Sequence, residues 1–218
     1  LQAGETFRAT FVNRHKRGHL IHCEETISPV RLQQAGITHF VSIIKDLTDR
    51  VHAEQTLREQ ATQDGLTGLL NRRAGELQLE SAYFAARELS KPFCVMLVDV
   101  DHFKAINDTH GHLVGDAVLR RLARVLRTSV RGTDHVARWG GEEFLLILPG
   151  CELAAALELA ERIRARVHGT GFDEVGVVTS SVGVAQIRLD ETLAGLIDRA
   201  DKALYAAKRA GRNQVCSG

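Results

Sequence analysis

Two apolar runs, Val136-Ala137 and Phe144-Leu145-Leu146-Ile147-Leu148, flank the segment Arg138-Trp139-Gly140-Gly141-Glu142-Glu143. Apolar run, glycine turn and apolar run in succession read as a β-hairpin, because glycine tolerates the positive φ values of tight hairpin turns. A bare glycine backbone also lets a bulky anion come close. Two adjacent carboxylates at a strand edge repel each other unless a cation or a proton joins them. Glycine plus paired acid therefore points to a metal and phosphates, with a solvated hairpin tip as the plain alternative.

The rest of the composition narrows the setting. With 218 residues and a hydrophobic share of 44%, the chain has enough apolar material for a packed soluble core. A formal net charge of +1 supplies no general field for a nucleic acid polymer or an anionic membrane. No apolar run is long enough to span a bilayer, so no membrane contact is expected within this segment. Cys23, Cys94, Cys151 and Cys216 are scattered without a CxxC pair and read as reduced thiols, which suggests a cytoplasmic setting. Leu1 stands where an initiator Met would be, so the sequence reads as a piece of a longer parent, and that parent could carry a membrane anchor elsewhere.

Organisation changes near residue 50. Phe7, Ala9 and Phe11 alternate with polar residues, Lys16-Arg17-Gly18 turns, and a second run through Leu20, Ile21 and Ile27 closes at Pro29. A third run, Phe40-Val41-Ser42-Ile43-Ile44, follows a turn at Gly36 and completes an expected three-stranded antiparallel meander. Three strands without a covering helix bury little, so residues 1–46 read as an incomplete domain. They resemble the C-terminal part of a PAS sensor domain, including the closing Asp46-Leu47-Thr48. Residues 47–63 then read as a polar linker helix starting near Asp46 or Thr48, either a plausible N-cap. Leu47, Val51, Leu57 and Ala61 give it a thin apolar stripe that suits a solvated connector or a dimeric coiled coil alike.

From Asp64 the chain becomes richer in chemistry. The run Phe93-Cys94-Val95-Met96-Leu97-Val98 reads as a buried strand with Asp99 and Asp101 at its end. Alternate residues of an extended chain share a face, so these two acids can approach one cation together, or serve as turn formers or helix caps. The stretch from His102 to Asp116 is polar and glycine-rich, ahead of a helix through Val118, Leu119, Leu122, Leu126 and Val130. Asn107 and Asp116 suit guanine, since an amide offers donor and acceptor side by side and a carboxylate accepts from a ring N–H and an exocyclic amine. A loop amide and a helix N-cap are the local alternatives. His110 and His112 lack zinc-ligand spacing. Beyond the hairpin, a helix through Leu153, Leu157, Ala160 and Ile163, a strand from Val175 to Ala185 and a helix through Leu193, Leu196, Ile197, Ala200 and Leu204 are expected.

Asp99-Val100-Asp101 with Phe103-Lys104, then Asn107-Asp108, Gly111-His112, Gly115-Asp116 and Arg138 to Phe144, closely resembles the GGDEF domain of diguanylate cyclases. The resemblance extends through Ala200 to Asn213 and back to the segment Asp64 to Arg73, covers roughly residues 62 to 218, and sets the domain at 64–218. It implies a palm-like α/β domain with a largely antiparallel central sheet surrounded by helices. It further implies condensation of two GTP into cyclic di-GMP with release of two pyrophosphates, at the interface of a homodimer.

By that resemblance Asp99, the Val100 carbonyl and Glu142 would hold Mg²⁺, with Mn²⁺ as the alternative ion. Glu143 is the first choice for proton acceptor and Glu142 its rival. Asn107 and Asp116 would read guanine, with His112 nearby. Backbone N–H groups around His102 and Phe103, together with Lys208 and Arg212 on one helix face, would hold phosphates, and Gly140 and Gly141 would leave room for the α-phosphate. Arg131 and Asp134 match the family's RxxD inhibitory site, where cyclic di-GMP would act as product inhibitor, with Arg162 as a second arginine. A catalytically silent cyclic di-GMP receptor is the alternative function.

Overall fold

The computed structural model describes residues 5–32, 36–172, 175–188 and 191–218. Their contacts divide into two compact units, Leu1–Glu59 and Gln60–Gly218.

The first unit holds β1 (Phe7–Arg14), β2 (Leu20–Leu32) and β3 (Gly36–Asp46) in the antiparallel order β1-β2-β3, the expected meander. Pro29 does not close β2 as expected. The ladder from β1 ends at Phe7 opposite Ile27, so the missing N–H of Pro29 falls where only β3 is paired, and β2 continues past it with a bulge at Val30/Arg31. Gly36 is itself the first residue of β3, and residues 33–35 before it lie outside the described residues. Helix α1 (Thr48–Thr62) follows and carries the boundary between the units. Of its two candidate caps, Asp46 accepts the N–H of Thr48 at 2.8 Å, whereas the Thr48 hydroxyl accepts from the His22 N–H at 3.0 Å on the sheet.

The second unit is built on a five-stranded sheet, order β5-β6-β4-β7-β8. Its centre is β4 (Phe93–Val100), antiparallel to β6 (Glu143–Pro149) on one side and β7 (Ser180–Gln186) on the other. The edges are β5 (His135–Arg138), antiparallel to β6, and β8 (Val215–Ser217), parallel to β7. Every residue of β4 is buried, because both faces of the sheet are covered. Cys94, Met96 and Val98 join a core with α3 (Phe103–His110), α4 (His112–Ser129) and α5 (Leu153–His168), while Phe93, Val95 and Leu97 join another with α2 (Arg72–Leu89) and α6 (Leu193–Arg209). This is the expected largely antiparallel α/β architecture.

Three elements differ from what the sequence pattern predicts. Residues 103–110 form helix α3 inside the polar stretch, a segment too short for a strong periodic signal. Strand β7 starts at Ser180 rather than Val175, because the chain first closes on itself through Gly176 N–H to Phe172 O at 2.8 Å. Strand β8 is an addition to the expected elements, and its three partly exposed residues carry little pattern to find.

Helix α6 crosses β7 at Gly183, where an added Cβ would lie 2.1 Å from Ala200 O and 2.4 Å from Leu204 N. Both are helix backbone atoms that cannot swing away. Gly183→Ala is expected to destabilise the second unit by about 3 kcal/mol through overpacking, read as a lower midpoint in urea denaturation at unchanged m-value.

Candidate functional site

Alternation along β4 puts Asp99 on the face shared by Phe93, Val95 and Leu97, beneath α6. The Lys208 Nζ near the end of α6 reaches Asp99 Oδ2 at 2.7 Å, and Asp99 is only 4% exposed. Glu143 lies directly across the ladder from Asp99, and the Glu142 carbonyl accepts the Val100 N–H at 3.4 Å. Three carboxylates thus gather at one strand end around one ammonium. Burial pushes the Asp99 carboxyl up to about 6, with Glu142 and Glu143 adding to the rise and Lys208 opposing it. Glu142 is also raised, chiefly by burial and further by Glu143, against Lys208.

This excess of hard oxygen donors over cations fits a divalent ion. Among the described residues no three of His, Cys, Asp and Glu form a self-sufficient metal cluster. A site of this kind would complete its coordination with oxygens from outside the chain.

Of the two readings open for Asp101, a second cation-facing carboxylate beside Asp99 or a structural turn former, the hydrogen bonds favour the structural one. Asp101 is buried, and its carboxylate accepts from Thr179 Oγ1 at 2.7 Å, Ser181 Oγ at 2.7 Å and Asn213 N at 3.0 Å. Its lone pairs are committed to tying the chain after α6 to β7.

The hairpin turn spans four residues, Trp139 to Glu142, closed by Trp139 N–H to Glu143 O at 2.8 Å. Neither Gly140 nor Gly141 has a positive φ, so the expected two-glycine turn is replaced by a longer loop without that demand. The two glycines differ in the space they leave. A Cβ at Gly140 would meet Glu143 Oε2 at 2.8 Å, whereas nothing stands within 4 Å of one at Gly141. The Glu143 carboxylate therefore fills the room at Gly140, and open backbone remains at Gly141.

Arg138 fixes this loop from behind, a role that its position in the sequence does not signal. Its Nη2 and Nε donate to Gly141 O at 2.7 and 3.2 Å, and its Nη1 lies 3.2 Å from both oxygens of Asp64. Burial alone would raise Asp64, but bonds from the Thr67 hydroxyl and N–H and from Arg138 outweigh it and hold the carboxyl below its usual range. The segment at Asp64 also pairs with β5, through Leu70 N–H to Val136 O and Arg138 N–H to Leu70 O.

On the other side of the strand end, α3 starts at His102, whose backbone is left-handed at φ 56°, with no side-chain cap on the helix's first N–H groups. Such uncapped donors suit an anion. Asn107 lies within α3 and Asp116 in the second turn of α4, so the loop-amide and N-cap alternatives are both removed. The Asn107 Oδ1 is buried without a partner. His112 opens α4 and is exposed. Lys208 and Arg212 do not share a helix face as expected: α6 stops at Arg209, Gly211 has φ 117°, and Arg212 follows at φ 65° with its N–H on Ala207 O.

Arg131, Asp134 and Arg162 lie apart from these groups. The Asp134 carboxylate accepts the Arg131 N–H at 2.9 Å and Asp134 N donates to Arg131 O at 3.1 Å, closing a turn just before β5. That is the end of β5 opposite Arg138 and the carboxylates. Arg162 is exposed on α5, which packs against α4. Two clefts, of about 450 and 630 Å³, lie around Arg87, Lys91 and Arg188 and around Leu113, Arg120 and Phe172. None of the carboxylates at the strand end lines either one.

Residues 61–214 match the family model described as diguanylate cyclase, GGDEF domain. The diguanylate cyclase DgcM of Escherichia coli K12 is 38% identical over 205 residues, 94% of this chain and 50% of DgcM, so the chain spans about half the length of that relative. The coiled coil and GGDEF domain of DgcB from Caulobacter crescentus, solved with c-di-GMP, is 37% identical with a TM-score of 0.73, covering 78% of this chain and 91% of that one. The active GGEEF domain of a diguanylate cyclase from Vibrio cholerae is 36% identical with a TM-score of 0.66, covering 68% and 97%.

Because the folded pKa of Asp99 stands above the ordinary carboxylate value, its ionisation costs stability that is lost as pH rises through about 6. In chelator-treated protein, Asp99→Asn should therefore gain on the parent by about 2 kcal/mol between pH 4 and pH 8. Urea denaturation across that range measures the gain. A pH-independent difference would contradict the assignment.

Proposed function

The chain belongs to the family of GGDEF diguanylate cyclase domains, and from that premise we propose that it condenses two GTP molecules into cyclic di-GMP with release of two pyrophosphates. The observation that carries this reading is the buried Asp99, set among Glu142 and Glu143 with Lys208 as its only close cation among the described residues.

Asp99 and Glu142, with the Val100 carbonyl, are the residues to hold Mg²⁺ or Mn²⁺. When bound, such an ion neutralises charge on the α-phosphate and favours ionisation of the attacking 3′-hydroxyl. Glu143, whose carboxylate covers Gly140 beside the open Gly141, accepts the proton from that hydroxyl. Glu142 is the rival for this role. Asn107 and Asp116 on neighbouring helices bind the guanine edge, with His112 close by. The uncapped N–H groups after His102 and at Phe103, together with Arg212, hold the phosphates. Lys208 joins them once it leaves Asp99. Gly141, rather than Gly140, gives the α-phosphate close approach to the backbone.

One domain presents one GTP, so the reaction takes place between two copies in a homodimer. Cyclic di-GMP acts as inhibitor at Arg131 and Asp134, with Arg162, and the separation of this turn from the carboxylates along β5 makes the inhibition allosteric. We read residues 1–46 as the C-terminal part of a PAS domain, 47–63 as the helix relaying its state, and 64–218 as the cyclase. The alignment with DgcM supports a common arrangement, since 205 residues exceed the second unit and so take in much of the first. No helix among the described residues is long and apolar enough to cross a membrane.

Incubation with GTP and Mg²⁺ should yield cyclic di-GMP, and Glu143→Ala should lower kcat about 10²- to 10⁴-fold with a smaller change in KM. Arg131→Ala should leave the initial rate intact and abolish slowing by added product. A domain that makes no product even when dimerised by a fused coiled coil would favour the silent receptor instead.

A further inference from the structure

Gly115 sits in the first turns of α4, where glycine is the poorest helix former apart from proline. Its backbone conformation does not require it, since its φ is not positive. The space does. A Cβ built at Gly115 would stand 1.9 Å from Asn107 Oδ1, 3.0 Å from Asn107 Cγ and 3.2 Å from Phe103 Cζ. The end of the Asn107 amide thus occupies the space that a Cβ at Gly115 would need, and its Oδ1 is buried there without a partner. Asp116, the other residue placed at the base, is the next residue along α4.

We propose that Gly115 is a positioning residue for purine selection: the missing side chain sets the depth of the Asn107 amide, so that it meets a guanine edge level with the Asp116 carboxylate. This inference rests on the reading of Asn107 as a base contact. A methyl group at 115 cannot displace the helix backbone, but it can displace the end of a side chain. It therefore drives the amide outward into the space of the base, removing one guanine contact and crowding the ring. Adenine, which cannot satisfy Asp116 in any case, has less to lose.

The test is a double-mutant cycle on the chain of residues 1–218, with Kd measured calorimetrically in Mg²⁺ for 3′-deoxy-GTP and 3′-deoxy-ATP. Both lack the attacking hydroxyl, so binding is read without turnover. Gly115→Ala should weaken 3′-deoxy-GTP about ten-fold or more, shift 3′-deoxy-ATP little, and keep or raise Tm because Ala favours the helix. Asn107→Ala should lose the same preference, and adding Gly115→Ala to it should change neither Kd further.

If Asn107→Ala keeps the parent's guanine preference, both the base reading and this proposal fall. If Asn107→Ala loses the preference and Gly115→Ala keeps it, the base reading stands and the proposal falls. Equal weakening of both nucleotides with a lowered Tm would mark Gly115 as a packing residue only, which also overturns the proposal. Should Gly115→Ala alone fail to fold, the double variant must recover the Tm of Asn107→Ala, since the displaced amide is then gone. No recovery would overturn the proposal.

Discussion

A carboxylate at the end of a strand that is buried on both faces costs several kcal/mol unless something compensates its charge. Asp99 is in that position: β4 is hydrogen-bonded on both edges, and its side chains alternate between two apolar cores. The ladder places Glu143 directly opposite Asp99 and brings Glu142 alongside, so the strand pairing that builds the core also concentrates negative charge at its end. Lys208 compensates only part of it, and the Asp99 carboxyl remains pushed up to about 6. The chain thus holds a site in electrostatic tension that a hard cation would relieve.

Much of the second unit serves to keep that strand end in place. The crossing of α6 over β7 at Gly183 sets the height of the helix from which Lys208 descends. Asp101, two residues beyond Asp99, ties the chain after α6 to β7 through Asn213, Thr179 and Ser181. Arg212 and Asn213 both adopt left-handed backbone, and these bonds hold the strained loop that carries the Arg212 guanidinium. On the opposite flank, Arg138 joins the Gly141 carbonyl to Asp64, so the segment that follows α1 is bonded to the hairpin loop.

Local pattern makes some of this legible and tertiary pairing hides the rest. The apolar runs at Phe93 to Val98 and Phe144 to Leu148 announce two buried strands, and the acids at their ends are the carboxylates that the fold brings together. The helices beginning at His112, Leu153 and Leu193 show their periodicity. By contrast, Asp64 meets Arg138 across 74 residues and Asn213 meets Asp101 across 112, and no local spacing signals such a contact. Asp101 looks like a partner of Asp99 because alternation gives a face, but not the neighbours that will claim the carboxylate. Gly140 looks like a conformational necessity, whereas it makes room for Glu143. Lys208 and Arg212 match helical spacing, but Gly211 ends that geometry first.

The proposed chemistry stands on Asp99 and Glu142 forming a cation site from which Lys208 withdraws when a nucleotide triphosphate arrives. Anomalous scattering from crystals grown with Mn²⁺ and 3′-deoxy-GTP measures this directly. The predicted result is a manganese peak bonded to carboxylate oxygens of both Asp99 and Glu142, with the Lys208 ammonium moved onto phosphate. A peak held by nucleotide alone, with Lys208 still on Asp99, would contradict it.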